Sequence, residues 1–330
     1  MFFTISGYEL IIVLVLAFII DLVLGEPPFA IHPVVWIGRT ISFFKHIAPS
    51  EHRKVYGIFM ALCCVIFAAL IGIVATLVLS AESIPALIRY LVAAWFLKMT
   101  FAVRCLMDAG KEVYGKLATG DLEGARKGLS MYVSRDTSKL TPEQVSSAVI
   151  ETMSENFVDG ILSPLFYFAL CGPFGIIAAY VFKATSTLDS MVGYRDPKYL
   201  HLGWFSARTD DILNWIPARL SLIPISMASV LLSLVPSFSR SIYPADAVKI
   251  AIKDGAKTPS PNSGYPMAAF AGAMGIRLEK PSTYALAKKN PYPQFFHIGL
   301  ARSLVLSSSM VSVLMCASAV YIIMDRFYIL

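Results

Sequence analysis

Long apolar runs, separated by polar stretches of unequal length, dominate the chain. They cover residues 8–24, 56–79, 84–103, 161–182, 212–235 and 303–324. The runs 56–79, 161–182 and 303–324 hold no charged side chain, 84–103 holds only Arg89 and Lys98, and 212–235 only Arg219. A hydrocarbon core about 30 Å thick takes roughly 20 mostly apolar residues per helical crossing. The runs are continuous and do not alternate, which excludes a membrane β-barrel. In lipid, that leaves helices, which pair their own backbone groups. The pattern therefore predicts an all-α, polytopic integral membrane helical bundle, read as one membrane-embedded domain over 1–330. The first run reads as a retained span. No basic segment precedes it, and Gly25-Glu26-Pro27-Pro28 follows in place of a small-residue cleavage pattern.

The polar stretches set orientation and further elements. Arg39, Lys45, Arg53 and Lys54 lie in 25–55, whereas the turn 80–83 carries only Glu82. The positive-inside rule places 25–55 in the cytoplasm and the amino terminus outside. The same rule makes 107–160 and 236–300 polar cytoplasmic segments. Within 107–160, Asp121 caps a predicted helix of about 121–133. A polar break follows at Ser134–Ser138. Thr141-Pro142-Glu143-Gln144 then reads as a capping box with proline at the first helical position, opening a helix that runs to about Phe157 and stops near Gly160. Gly172-Pro173 divides 161–182 into two short halves, because proline removes a backbone donor and breaks a helix. The pattern predicts a re-entrant hairpin there; a single crossing is the alternative. Prolines 217 and 224 raise the same question for 212–235.

Composition agrees with the pattern. Of 330 residues, 56% are hydrophobic and 15% charged, with a mean hydropathy of +0.65; soluble chains are about one quarter charged. The net charge of +6 reflects membrane orientation, and no basic block with interleaved aromatics points to nucleic acid. Cys63, Cys64, Cys105, Cys171 and Cys316 lie in or beside apolar runs without metal-ligand spacing. They read as small buried apolar residues. No phosphate-binding G-x-x-x-x-G-K-[ST] loop, G-x-G-x-x-G fingerprint or zinc pattern occurs.

The chemistry concentrates in a few segments. Glu151, Glu155 and Asp159 recur every fourth residue, which places three carboxylates on one helix face. A hard cation such as Mg²⁺ would relieve their repulsion, and a solvated acidic face is the plain alternative. Lys183-Ala-Thr-Ser-Thr-Leu-Asp189-Ser190, continued by Arg195, supplies the hydroxyls and cations of a phosphate site. Its alternative is a helix end whose hydroxyls bond back to carbonyls. Arg208, Asp210 and Asp211 stand before Asn214-Trp215-Ile-Pro217-Ala-Arg219, where an arginine inside an apolar run needs a partner or cavity. Ser260-Pro-Asn262-Ser-Gly-Tyr-Pro266 is a rigid turn. Asp21, inside a span, is followed by His32 and Arg39 at the first membrane exit.

Taken in register, DLVLGEPP, HPVVWIGR, SRDTSKL, ENFVDG, SPLFY, TLDSMVGYRD, GWFSARTDD, NWIPARL and SPNSGYP resemble the adenosylcobinamide-phosphate synthase family of cobalamin biosynthesis, from Asp21 to about Arg277. The chain departs from that family at Phe157, Ser186 and Thr209, where threonine, asparagine and leucine are usual. The resemblance implies ATP-dependent amide formation between the f-propionate carboxylate of adenosylcobyric acid and aminopropanol phosphate, at a site facing the cytoplasm. It implies ATP and Mg²⁺ as co-substrate and metal. The corrinoid, the amino-alcohol phosphate and the lipid bilayer are the implied partners, with other cobalamin-pathway enzymes as further ones. Residue chemistry then assigns expected roles. Arg135, Asp136, Asn156, Lys183 and Asp189 form the candidate catalytic set. His32, Arg39, Ser190, Arg195, Arg208, Arg219 and Asn262 are expected to bind phosphate or substrate. Glu151, Glu155, Asp159, Asp210 and Asp211 are expected to hold metal. A transporter built from broken helices, or a scaffold for corrinoid-processing enzymes, is the alternative reading.

Overall fold

The computed structural model describes residues 5–327. The chain opens with α1 (Gly7–Leu24), held by a capping box in which Ser6 accepts from the Glu9 amide and the Glu9 carboxylate accepts from the Ser6 amide. After α2 (Pro33–His46) come α3 (Arg53–Ser80), α4 (Ala86–Lys98), α5 (Val103–Ala118) and α6 (Leu122–Ser130). Then follow α7 (Pro142–Phe157), α8 (Ser163–Leu170), α9 (Gly175–Val192), α10 (Trp204–Leu213), α11 (Trp215–Leu220) and α12 (Leu222–Ser233). The chain continues through α13 (Pro244–Asp254), α14 (Gly264–Met274), the strands β1 (Leu278–Lys280) and β2 (Tyr284–Leu286), and α15 (Phe296–Phe327). The strands pair antiparallel, Leu278 opposite Leu286, and make a small hairpin that the apolar pattern does not announce.

Among the described residues four helices are long and apolar enough to cross a membrane: Gly7–Leu24, Arg53–Ser80, Trp215–Ser233 and Phe296–Asp325. A fifth crossing arises if Ala86–Lys98 and Val103–Ala118 are taken as one bent span. The protein is thus an all-α, multi-pass membrane bundle. Two of the apolar runs are not single straight helices, and in 161–182 the break falls where Gly172-Pro173 predicts it. The run 84–103 yields the 13-residue α4, only about 20 Å long at 1.5 Å per residue. The run 161–182 breaks where Gly172-Pro173-Phe174 forms a single 3₁₀ turn, with Gly172 at φ +51°.

The chain folds as two compact units, each assembled from discontinuous stretches. The first takes the amino-terminal part through Ala102, Ser163–Leu213, and α15 from Val313 on. Here α3 lies so close to α9 that a Cβ on Gly72 would sit 2.6 Å from the Cα of Ile177. Small residues at such a crossing are how helices approach in lipid, where no hydrophobic force drives them together. α8 folds back on α9 with similar tightness, since a Cβ on Gly175 would meet the Phe168 carbonyl at 2.2 Å. The buried Tyr180 hydroxyl donates to the Phe96 carbonyl, 2.9 Å, and ties α9 to α4.

The second unit holds Val103–Leu162 and Asn214–Ser312. Its local signals read as expected at their starts. Asp121 accepts from the Gly124 amide at 2.8 Å and caps α6. Thr141 and Gln144 form the capping box of α7. The far end differs. α7 does not stop near Gly160; it passes through one π-helical turn, Val158–Leu162, and continues into Ser163. α13 and α14 pack backbone to backbone, and the buried Asp254 carboxylate accepts from the Ala287 amide at 2.7 Å and from Lys257 at 2.5 Å.

Candidate functional site

The expected residues fall into clusters within the two units. In the second unit the centre is Glu151, buried on α7. Its Oε2 accepts from Arg135 at 2.9 Å and from the Tyr284 hydroxyl at 2.6 Å, and its Oε1 accepts from Ser147 at 2.7 Å. The Ser147 oxygen in turn accepts from the Glu279 amide at 2.9 Å, which docks β1 on α7. Burial pushes the Glu151 carboxyl above its ordinary value, against the opposing pull of Arg135, Tyr284 and Ser147. Burial and then the Glu151 charge push the Tyr284 phenol up. Around this group opens a polar cleft of about 160 Å³, whose walls include Arg135, Glu155, Asn156, Lys280 and Tyr284.

The acidic ladder does not behave as the spacing suggests. Glu151 and Glu155 line the cleft, but Asp159 does not. Successive i+4 steps already drift by about 40° on a 3.6-residue helix, and the π turn that begins at Val158 moves Asp159 further out of register. Both Glu151 oxygens are engaged by protein donors. Among the described residues no three His, Cys, Asp or Glu side chains are grouped to hold a metal ion. The residues present therefore do not fit a resident metal on this ladder.

Other members of this unit have specific partners. Asp136 does not line the cleft; it accepts from the Ser138 amide at 2.9 Å, within its own turn, and this bond holds its carboxyl below the usual range. Asn156 lines the cleft while donating back to the Thr152 carbonyl at 2.9 Å. Arg219 is sandwiched between the rings of Trp215 and Tyr265, at 4.2 and 4.5 Å, and donates to Asn262 at 3.4 Å. The arginine in the apolar run thus finds its partners in the turn 260–266.

In the first unit, a cavity of about 260 Å³ is lined by Gly193, Arg195, Gly203, Trp204, Arg208 and Asp211, among others. α9 ends at its rim, and the carboxylate of Asp189 reaches the Gly193 Cα so closely that a Cβ there would be 1.9 Å from Oδ1. Burial, and then the negative charge of Asp211, raise the Asp189 carboxyl to about 6. Burial also raises Asp211, although Arg208 and Arg195 pull against it. Asp210 does not line the cavity and acts instead on Tyr167. Neighbouring helical residues point about 100° apart, so the adjacent aspartates do not share one face. The hydroxyl-rich segment takes its plainer reading. Thr185, Thr187 and Ser190 donate to the carbonyls of Val181, Lys183 and Ser186. Lys183 does not line the cavity.

His32 joins a network that sequence reasoning missed in part. Its Nδ1 accepts from the Val34 amide and caps α2, so Nε2 carries the proton and donates to Glu26 at 2.8 Å. Lys98, fully buried, lies 2.8 Å from Glu26 and 3.4 Å from the fully buried Asp21. Burial alone would raise the Glu26 carboxyl, but His32 and Lys98 together hold it below its usual range. Arg39, on the exposed side of α2, is not part of this network. Asp21 thus faces a lysine. A charge inside an apolar run was the signal for Lys98; Lys280 and Tyr284 gave none.

Residues 14–299 match the sequence profile of the CobD/Cbib protein family. The chain is 40% identical over 314 residues to a probable cobalamin biosynthesis protein CobD of Methanothrix thermoacetophila, covering 92% of this chain and 95% of that protein. It is 42% identical over 274 residues to the cobalamin biosynthesis protein CobD of Pelobacter propionicus, covering 82% and 81%. The Klebsiella pneumoniae protein of the same name is 40% identical over 273 residues, covering 81% and 82%. No solved structure matches the chain.

Proposed function

Because the chain belongs to the CobD/Cbib family, we propose that it is a membrane enzyme of cobalamin biosynthesis that forms adenosylcobinamide phosphate. The reaction joins the f-propionate carboxylate of adenosylcobyric acid to the amine of aminopropanol phosphate as an amide. A carboxylate is a poor acyl donor, since oxide is a bad leaving group. Phosphoryl or adenylyl transfer from ATP supplies a better one. The amine then attacks the acyl carbon, the phosphorylated leaving group departs, and the ammonium proton goes to a base. ATP enters as its magnesium complex, with the metal carried by the nucleotide.

The observation that carries this reading is the cavity in the first unit. Arg195 and Arg208 are cations suited to phosphate oxygens. Asp189 does not line the cavity wall but stands behind it, close against Gly193, and its carboxyl, raised to about 6, is an acceptor near neutral pH. ATP is cytoplasmic, so this cavity faces the cytoplasm in the proposal. The α8–α9 turn is then re-entrant, because its apolar halves, 163–170 and 175–182, reach only about 12 Å each. Purified protein in detergent, supplied with ATP, the corrinoid acid and the amino-alcohol phosphate, should release the amide with stoichiometric loss of ATP. Amide formation should fall at least about tenfold in Arg208→Gln, as expected for a lost charge-assisted phosphate contact. Wild-type protein that makes no amide under any of these conditions overturns the proposal.

A further inference from the structure

We infer that the amino-terminal end of α3, with α2 and the segment 193–203 folded against it, is a docking surface for the headgroup of an anionic phospholipid. Three lysines from three elements of the first unit meet there over two rings. The ammonium of Lys45, on α2, lies 5.6 Å from the centre of the Tyr199 ring, and that of Lys198 lies 5.2 Å from the same centre. The ammonium of Lys54, on α3, lies 3.8 Å from the centre of the Trp204 ring. A ring face holds a cation in place without neutralising it. None of the three lysines enters an ion pair among the described residues. Tyr199 thus gathers two like charges, whose repulsion an anion relieves. The backbone fixes the arrangement. Gly57, just past the first turn of α3, admits the buried Leu202 so closely that a Cβ there would lie 2.0 Å from its carbonyl oxygen. Leu202 stands between Tyr199 and Trp204 in the chain, so both rings are clamped to the start of α3.

The place and the neighbours identify the anion as a lipid headgroup. α3 has 28 residues and is about 42 Å long at 1.5 Å per residue, more than a hydrocarbon core of about 30 Å. Its first turns therefore project into the headgroup layer, where tyrosine and tryptophan rings collect. α3 opens without a side-chain cap, and its first turn carries Arg53 and Lys54 but no acid. Cations at the positive end of a helix dipole are disfavoured until an anion joins them. The Arg53 Nε is shielded from solvent and has no acceptor. Glu51 is the only acid between Glu26 and Glu82, against Arg39, Lys45, Arg53 and Lys54. Phe43, Val55 and Phe59 are exposed on the same two helices, and the rings of Phe43 and Phe59 flank that of Phe44 at 5.5 and 5.9 Å. Acyl chains can cover these apolar side chains, and a soluble anion cannot. By the positive-inside rule this end meets the cytoplasmic leaflet, whose acidic lipids attract lysines near the surface.

The test is a lipid titration of the full-length protein in neutral detergent, read by native mass spectrometry. The probes are phosphatidylglycerol and phosphatidylcholine with matched chains, and ATP and a polyglutamate peptide serve as soluble competitors. Phosphatidylglycerol affinity should fall about fivefold for each lysine lost, and about a hundredfold in Lys45→Gln/Lys54→Gln/Lys198→Gln. Phosphatidylcholine, which has no net charge, should bind wild type and variant equally. Lys45→Arg/Lys54→Arg/Lys198→Arg keeps the charge and should retain most of the affinity. If the triple glutamine variant does not accumulate, Lys198→Gln alone, at an exposed position, should still show the fivefold loss. Unchanged phosphatidylglycerol affinity in the glutamine variants overturns the inference. So does an equal loss toward phosphatidylcholine, an equal loss in the arginine variant, or displacement of the lipid by ATP or the peptide at equal concentration. None of these readouts involves amide formation, so they stand or fall apart from the proposed reaction.

Discussion

Arg135→Met removes the cation that faces Glu151 and leaves an apolar chain in its place. The Glu151 side chain is 3% exposed and that of Arg135 16%, so solvent does little to replace the lost partner. Removing one member of a buried ion pair costs about 3–5 kcal/mol, much of it the cost of the stranded charge. Here Tyr284 and Ser147 still donate to the two Glu151 oxygens, so the loss should lie near the lower end, about 3 kcal/mol. The double variant Arg135→Met/Glu151→Gln strands no charge and should recover most of that loss. The coupling should be about 2 kcal/mol, within the range for residues sharing one network.

The loss should also depend on pH with a definite sign. Burial already holds the Glu151 carboxyl above 4.5 in the fold. Without Arg135 the folded pKa rises further, so the folded state binds that proton more tightly than the unfolded chain does. The charge-dependent part of the deficit is absent below the unfolded value near 4.5. It opens as pH climbs past the wild-type folded pKa and is complete above the variant's. Denaturant unfolding in micelles, followed by far-UV circular dichroism over a pH series that starts near the unfolded value and climbs to the alkaline limit of the fold, reads this directly. A loss of the same size across the whole series, or a double variant as unstable as the single, would refute the electrostatic argument and make Arg135 a packing residue.

Thr141→Ala should lower stability by about 1 kcal/mol by deleting the amino-terminal cap of α7, seen as a modest fall in thermal midpoint with amide formation retained; lost activity at unchanged stability would contradict the capping role. Gly72→Leu should prevent accumulation of folded protein, because even its Cβ would lie 2.6 Å from the Ile177 backbone; normal yield and thermal stability would refute the close α3–α9 crossing. Single cysteines at Ser190 and Lys198, in a background without the native five, should resist an impermeant thiol reagent added outside intact cells. Labelling of both would sink the re-entrant arrangement of α8 and α9.

The elements that could be read from the sequence are those whose cause is local. Asp121 and Thr141-Gln144 announce α6 and α7 because a cap is satisfied within one turn. Gly172-Pro173 announces its break because proline acts on its own helix. The apolar run 84–103 hides its meaning for the opposite reason. It is a short helix whose terminal Lys98 is matched to Asp21 and Glu26, acids at and just beyond the end of α1 and far from it in sequence. Hydropathy counts such a lysine as an interruption, and only the packed structure turns it into an anchor.

The same distinction decides what the acidic ladder can do. Periodicity puts Glu151, Glu155 and Asp159 on one face and sees three equal ligands. The structure gives them unequal fates through partners that periodicity cannot reach. Glu151 is claimed by Tyr284, 133 residues away, and Glu155 lies one turn further on, on the wall of the same cleft. Asp159 is displaced by a π turn. What the spacing locates is therefore the helix that lines the cleft; the small hairpin folded against it decides which acid is anchored, through Tyr284 on Glu151 and the Glu279 amide on Ser147.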